Sequence, residues 1–153
     1  MANRIKFESK IDIKDLEKLN KNTDDVMEEV LLAGVNVSTD ILRSETEALK
    51  VTRNFYAKPG QKRFASKNEK QGLLDNLGFT PASERGGKLN RKSGFDGYNK
   101  RGVANPKIAN FINTGAGFQT KQPFISRATR KSKSESLAKM DAKLEEEIKK
   151  YIK

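Results

Sequence analysis

From Asn22 to about Leu49 the apolar residues recur at helical spacing. Val26, Val30, Val37 and Ile41 form one stripe, and Met27, Leu31, Val35 and Leu42 widen it. The pattern predicts a long helix that lies against a sheet or a second helix. Asn22 or Thr23 is placed to accept from the free N–H groups of the first turn, and Asp24 and Asp25 suit the positive end of the helix dipole. Gly34 falls in mid-helix, where glycine costs about 1 kcal/mol against alanine. Either another backbone approaches closely there or the residue is incidental. Upstream, RIKFES (4–9) alternates at period two and predicts a short strand. Asp12 then caps a short helix through Asn20, with Ile13, Leu16 and Leu19 on one side.

The helical pattern breaks over 50–71, where Pro59-Gly60 signals a turn. Residues 72–83 and 88–99 read as two extended pieces joined through Glu84-Arg85-Gly86-Gly87 as a hairpin. Gly-Phe occurs at 78–79 and again at 94–95, which fits cross-strand pairing. The clearest punctuation lies further on, in NPKIANFINTGAGFQTKQPFISRA (105–128). Asn105 reads as an N-cap and Pro106 as the first helical residue. Ile108, Ala109, Phe111 and Ile112 form an apolar face, and Gly115 suits the left-handed position that ends a helix. Gln122 or Thr120 caps a second helix, Pro123 opens it, and Phe124, Ile125 and Ala128 face inward. A narrow stripe of Leu137, Met140, Leu144, Ile148 and Tyr151 or Ile152 carries this helix towards Lys153. RKSKSES (130–136) interrupts it with polar residues on every side, so that segment either bridges solvent or marks a bend. Together these elements predict a single α+β domain over 1–153. A small antiparallel sheet is packed by the long helix of the N-terminal half, and a C-terminal helical segment completes it.

Charge changes the picture. The chain of 153 residues carries a net +11, split as −4 over 1–49, +9 over 50–103 and +6 over 104–153. A field of this size attracts polyanions. Within 50–71, seven residues are basic and only Glu69 is acidic, with Phe55, Tyr56 and Phe64 interleaved. Aromatics among cations can stack bases and neutralise phosphates; the same aromatics can also tack a mobile loop to the core. Lys58, Lys62, Arg63 and Lys67 are the candidate DNA-facing cations here. Arg127, Arg130, Lys131 and Lys133 form a second basic run, with no acid between them, that suits phosphate or an acidic neighbouring subunit.

Catalytic chemistry finds little to work with. The chain has no Cys and no His, which removes thiolate nucleophiles, Cys/His zinc sites and imidazole acid–base work. Gly115-x-Gly117 lacks the third glycine of a dinucleotide fingerprint, and Gly86-Gly87-Lys88 is followed by Leu89 rather than Ser or Thr. Glu28-Glu29 and Glu145-Glu146-Glu147 read as solvated helix faces. No enzyme activity and no cofactor are expected. No apolar run approaches a membrane span and the first ten residues lack a signal-peptide core, so a soluble protein made in the cytosol is expected.

The order of these segments resembles the tail-completion, or neck, proteins of tailed bacteriophages. A long acidic helix is followed by a basic middle with GLLDNLGFTPAS and GFDGYN, then by ANFINTGAGFQTKQPFISRATRKSK and a charged closing helix. The resemblance is sharpest at Phe111 to Gly115 and Pro123 to Ala128. It implies a structural virion component, made in the host bacterial cytoplasm, that joins a DNA-filled head to a tail within an oligomeric ring. The implied partners are further copies of the chain, head and tail connector proteins, and double-stranded DNA in the channel, without a membrane. One departure is Asn113-Thr114, where such proteins commonly carry an acid, so a subunit contact made by that acid is not expected here. On this reading Phe111, Ile112, Gly115 and Phe124 form the candidate subunit interface; an ordinary helical corner would instead bury the same aromatics in the chain's own core. A stand-alone nucleic-acid-binding protein is the competing expectation.

Overall fold

The computed structural model describes residues 13–52 and 58–152. The strand expected at 4–9, the Asp12 cap, Phe55 and Tyr56 lie outside the described residues. The order is α1 (Ile13–Lys21), α2 (Thr23–Glu47), α3 (Lys67–Asp75), β1 (Leu77–Phe79), β2 (Ser83–Arg85), β3 (Lys88–Asn90), β4 (Ser93–Phe95), α4 (Asn105–Thr114) and α5 (Phe124–Tyr151). The fold is α+β, as the periodicity predicts.

α2 and α5 run antiparallel. The Ser136 hydroxyl donates to the Gly34 carbonyl at 3.1 Å, while about three turns further along α2, Glu45 meets Arg127 at the start of α5. A Cβ on Gly34 would lie 2.6 Å from the Met140 sulfur and 3.8 Å from the Ser136 carbonyl oxygen, so the helices are close here and a side chain at 34 would have to displace Met140. Ser38 and Ser136 share a hydrogen bond at 3.0 Å, and Ser132 is buried. The polar run at 130–136 therefore neither bridges solvent nor bends. Its small hydroxyls are the seam against α2, where larger apolar side chains would hold the backbones apart.

The junction before α2 also differs from expectation. Asn22 and Thr23 do not cap α2; their side chains donate back to the carbonyls of Lys18 and Leu19 at 2.7 and 3.1 Å. Because α1 runs almost directly into α2, it is the carbonyl end of α1 that needs partners.

Residues 67–75 are helical, so the piece expected to be extended from 72 is strand only from Leu77. Ser66 accepts from the Glu69 N–H at 3.1 Å and Glu69 accepts from the Ser66 N–H at 2.8 Å, a capping box that starts α3. The hairpin follows. Arg85 pairs with Lys88 across a two-residue turn in which Gly86 and Gly87 both have positive φ, at 60° and 74°. This is the turn whose twist matches a hairpin. Further back, Leu77, Gly78 and Phe79 pair with Phe95, Gly94 and Ser93, so the repeated Gly-Phe segments do meet across the strands. Three residues (80–82) face two (91–92) between the paired stretches, the count of a β-bulge, with Pro81 at the break.

The hairpin packs on α2 and α4 over one core. Leu42, Leu49, Ala65, Leu73, Ile108, Ala109, Ile112, Phe124 and Ala128 are buried, and Leu77, Phe95, Ile41 and Ile125 close it. The Phe95 and Phe124 rings are 5.9 Å apart and tilted by 48°, a favourable offset contact.

Candidate subunit and nucleic-acid interface

The α4–α5 corner is built by local chain chemistry. Gly115 ends α4 at φ 75°, and its N–H donates to the Phe111 carbonyl at 2.8 Å. A Cβ there would sit 2.8 Å from the Lys121 Cβ, so position 115 demands glycine on both counts. The N-cap of α4 is Ala104, one residue before the expected Asn105. Asn105 is instead fully buried, donating from its amide to the Asp96 carbonyl at 2.8 Å and so tying α4 to the hairpin.

Neither Thr120 nor Gln122 caps α5. That task falls to Asn113 of α4, whose Oδ1 accepts from the N–H groups of Ile125 and Ser126 at 3.0 and 3.2 Å. A capping oxygen arriving from another helix satisfies the same orphan donors as a local cap. This gives a role within the monomer to the position where the resemblance expects an acid. Gln122 clamps Lys50, accepting from its N–H at 2.9 Å and donating to its carbonyl at 3.1 Å.

The basic segment before α3 docks on this corner. The Arg63 N–H donates to the Phe118 carbonyl and the Thr120 N–H to the Arg63 carbonyl, both at 2.7 Å. Arg63 forks onto Glu69 at 2.8 and 3.0 Å, Gln119 donates to the same carboxylate at 3.2 Å, and Lys62 donates to the Gly115 carbonyl. Burial raises the Glu69 pKa, but Arg63, the Ser66 N–H and Gln119 outweigh it and leave it below the ordinary 4.5. The same fork raises Arg63 above its usual value.

The interface candidates thus divide. Ile112 and Phe124 are fully buried and Gly115 is buried beside Lys121, so these three belong to the chain's own core rather than to a presented surface. Phe111 is half-buried, with the Lys107 ammonium 5.6 Å from its ring centre. The aromatic of this corner that faces solvent is Phe118, 61% exposed; Tyr98 and Phe79, on and beside the hairpin, are exposed as well. Phe118 falls in the glycine break rather than on an apolar helix face, so hydrophobic periodicity does not single it out. Its position just after two left-handed glycines was the available signal.

The cations divide as well. Lys58, Lys62 and Lys67 are exposed, whereas Arg63 is committed to Glu69 with 15% of its side chain exposed. On α5, Arg130 is exposed, but Arg127 and Lys131 both reach Glu45, buried at 7% exposure on α2. No acid lies within the basic run; a neighbouring helix supplies one. Lys131 and Arg127 hold the Glu45 pKa below its ordinary value against its burial. The arrangement can bind an anion or an acidic surface, and the displaced ionisations accompany ion pairs that tie elements together. Among the described residues no group of three or more acidic, His or Cys side chains is placed to hold a metal, and no helix is long and apolar enough to cross a membrane. No protein-family model, curated protein or solved structure matches the chain.

Proposed function

We propose that this chain is a structural component of a tailed-phage virion, a neck or tail-completion protein that joins the DNA-filled head to the tail as one subunit of an oligomeric ring. The observation that carries the reading is the α4–α5 corner. The segment of sharpest resemblance folds as a rigid elbow, clamped to the basic loop by Arg63, Glu69 and Gln122, and holds Phe118 out to solvent. A ring subunit needs this combination: a modest private core and a stiff surface feature for a neighbour. Exposed Lys58, Lys62, Lys67 and Arg130 suit a DNA conduit, which takes phosphate contacts without base reading. The test is electron microscopy of particles made with this gene disrupted. Filled heads beside separate tails, restored to joined particles by purified protein, are the expected result; normal infectious particles would sink the reading.

The same exposed lysines favour one other reading, a stand-alone nucleic-acid-binding protein. Tight binding by the isolated monomer with a steep salt dependence would select it. Weak, sequence-indifferent binding is expected of any chain at +11 and would leave the neck reading in place.

A further inference from the structure

Nine of the eleven glycines have a reason within the monomer. Gly60, Gly86, Gly87, Gly97, Gly102, Gly115 and Gly117 have positive φ, which disfavours any side chain. Gly34 meets Met140, and a Cβ on Gly72 would lie 3.3 Å from the Asn105 side chain. Gly78 and Gly94 have neither reason: φ is not positive at either, and a Cβ on either would meet nothing within 4 Å. These two face each other across β1 and β4. Glycine inside a strand weakens it and accompanies either a bulge, such as the one that begins two residues beyond this pair, or a place where another group approaches the backbone; the open space over Gly78 and Gly94 fits the second. The bare pair lies in a groove of about 710 Å³ that runs between Asp75 and Asp96 at one end and Thr80 and Lys92 at the other.

We propose that this groove receives Phe118 from a second copy of the chain. The proposal rests on the oligomeric reading above and names the surfaces that mate. The Phe118 ring is exposed on an anchored backbone, since its carbonyl accepts from Arg63, the next residue Gln119 is buried, and Lys62 pins Gly115. An aromatic on an anchored backbone has only its two side-chain torsions to lose on docking. A ring laid over two facing glycines covers open backbone that no side chain of its own hairpin protects. One end of the groove matches the loop in charge. Lys62 and Lys121 flank the Phe118 loop, while Asp75 and Asp96 at that end of the groove are exposed and have no ion-pair partner among the described residues; the other end is basic, with Lys92 on the rim and the Arg91 guanidinium 5.9 Å from the Phe79 ring centre. Knob and groove are different surfaces of one chain, so the contact is head-to-tail, the kind that closes into a ring when the rotation permits.

Two variants test this without harming the monomer. Gly94→Thr fills the groove and Phe118→Ser removes the knob; open space at Gly94 and solvent at Phe118 predict unchanged or higher melting temperature for the first and an unchanged one for the second. In analytical ultracentrifugation the wild-type chain should self-associate, and each variant alone should associate at least about tenfold more weakly. Mixed one to one, the variants should form dimers that grow no further, because one retains only the groove and the other only the knob. Association untouched by either variant, a mixture that stays monomeric, loss with Gly94→Thr but not Phe118→Ser, or a wild-type chain monomeric at its highest soluble concentration would each overturn the proposal. The neck reading fails separately, when wild-type protein does not restore joined particles.

Discussion

Along one stretch of the α2–α5 pair, Gly34, Ser38 and Ser136 bring the helices together through small side chains and hydroxyl hydrogen bonds. Where α3, α4 and the hairpin dock on the same two helices, Leu73, Ile112 and Phe124 are fully buried. In the first region Val26, Val30 and Val35 are buried along α2, but at the crossing itself the contact is made by small side chains, so close approach sets how the helices are registered. The second removes large side chains from water and supplies most of the driving force. The functional corner grows out of the second region, which is why its Phe124 and Ile112 cannot also be a subunit surface.

Phe124→Ala would break the apolar region most directly. Truncating a fully buried phenylalanine costs about 3–5 kcal/mol, and chemical denaturation should show a loss of that size. A loss nearer that of a surface substitution would mean that the ring is not in the core. The seam should yield less. Gly34→Val places a branched side chain where a Cβ already meets Met140 at 2.6 Å, and overpacking of this kind costs about 1–3 kcal/mol. Met140→Ala in the same chain should recover part of it; strict additivity of the two would show that they do not touch.

The corner separates capping from packing. Asn113→Ala leaves the N–H groups of Ile125 and Ser126 without their acceptor, at a cost of about 0.5–2 kcal/mol by thermal melting. Asn113→Asp keeps an acceptor at the positive end of α5 and should retain stability, which a purely steric role for Asn113 would not separate from alanine.

The smallest effect concerns pH. Glu69 and Glu45 both have native pKa values below the ordinary 4.5, so the unfolded chain binds more protons in that range. Their stabilisation is present above about 4.5 and is lost as the pH falls through the lowered native values. Glu69→Gln should flatten the decline of the melting temperature in that acid range, and an unaltered acid profile would show that the Arg63 fork contributes nothing.

Much of this was legible locally. The span of α2, the Gly86-Gly87 turn and the left-handed end of α4 each depend on neighbours within one turn of chain. α3 was legible too, since Ser66-Lys67-Asn68-Glu69 is a capping-box sequence, but the density of lysines around it hides the pattern. The polar run at 130–136 misled because periodicity scores side chains by hydrophobicity, while a close helix crossing selects by size. The basic run on α5 misled for a related reason: its counter-charge, Glu45, lies 82 residues away from Arg127 in the chain.

What the sequence determined alone was therefore whatever short-range sterics and hydrogen bonding dictate: helix and turn positions, the demand for glycine at 86, 87 and 115, the absence of thiol and imidazole chemistry, and the basic excess. Tertiary structure decided which polar groups are spent internally and which remain available. It committed Arg63, Arg127 and Lys131 to carboxylates, buried Ile112 and Phe124, exposed Phe118, and set Gly78 opposite Gly94. Those outcomes depend on partners far apart along the chain, brought together only when burial of the common core repays the entropy of closing the loops between them.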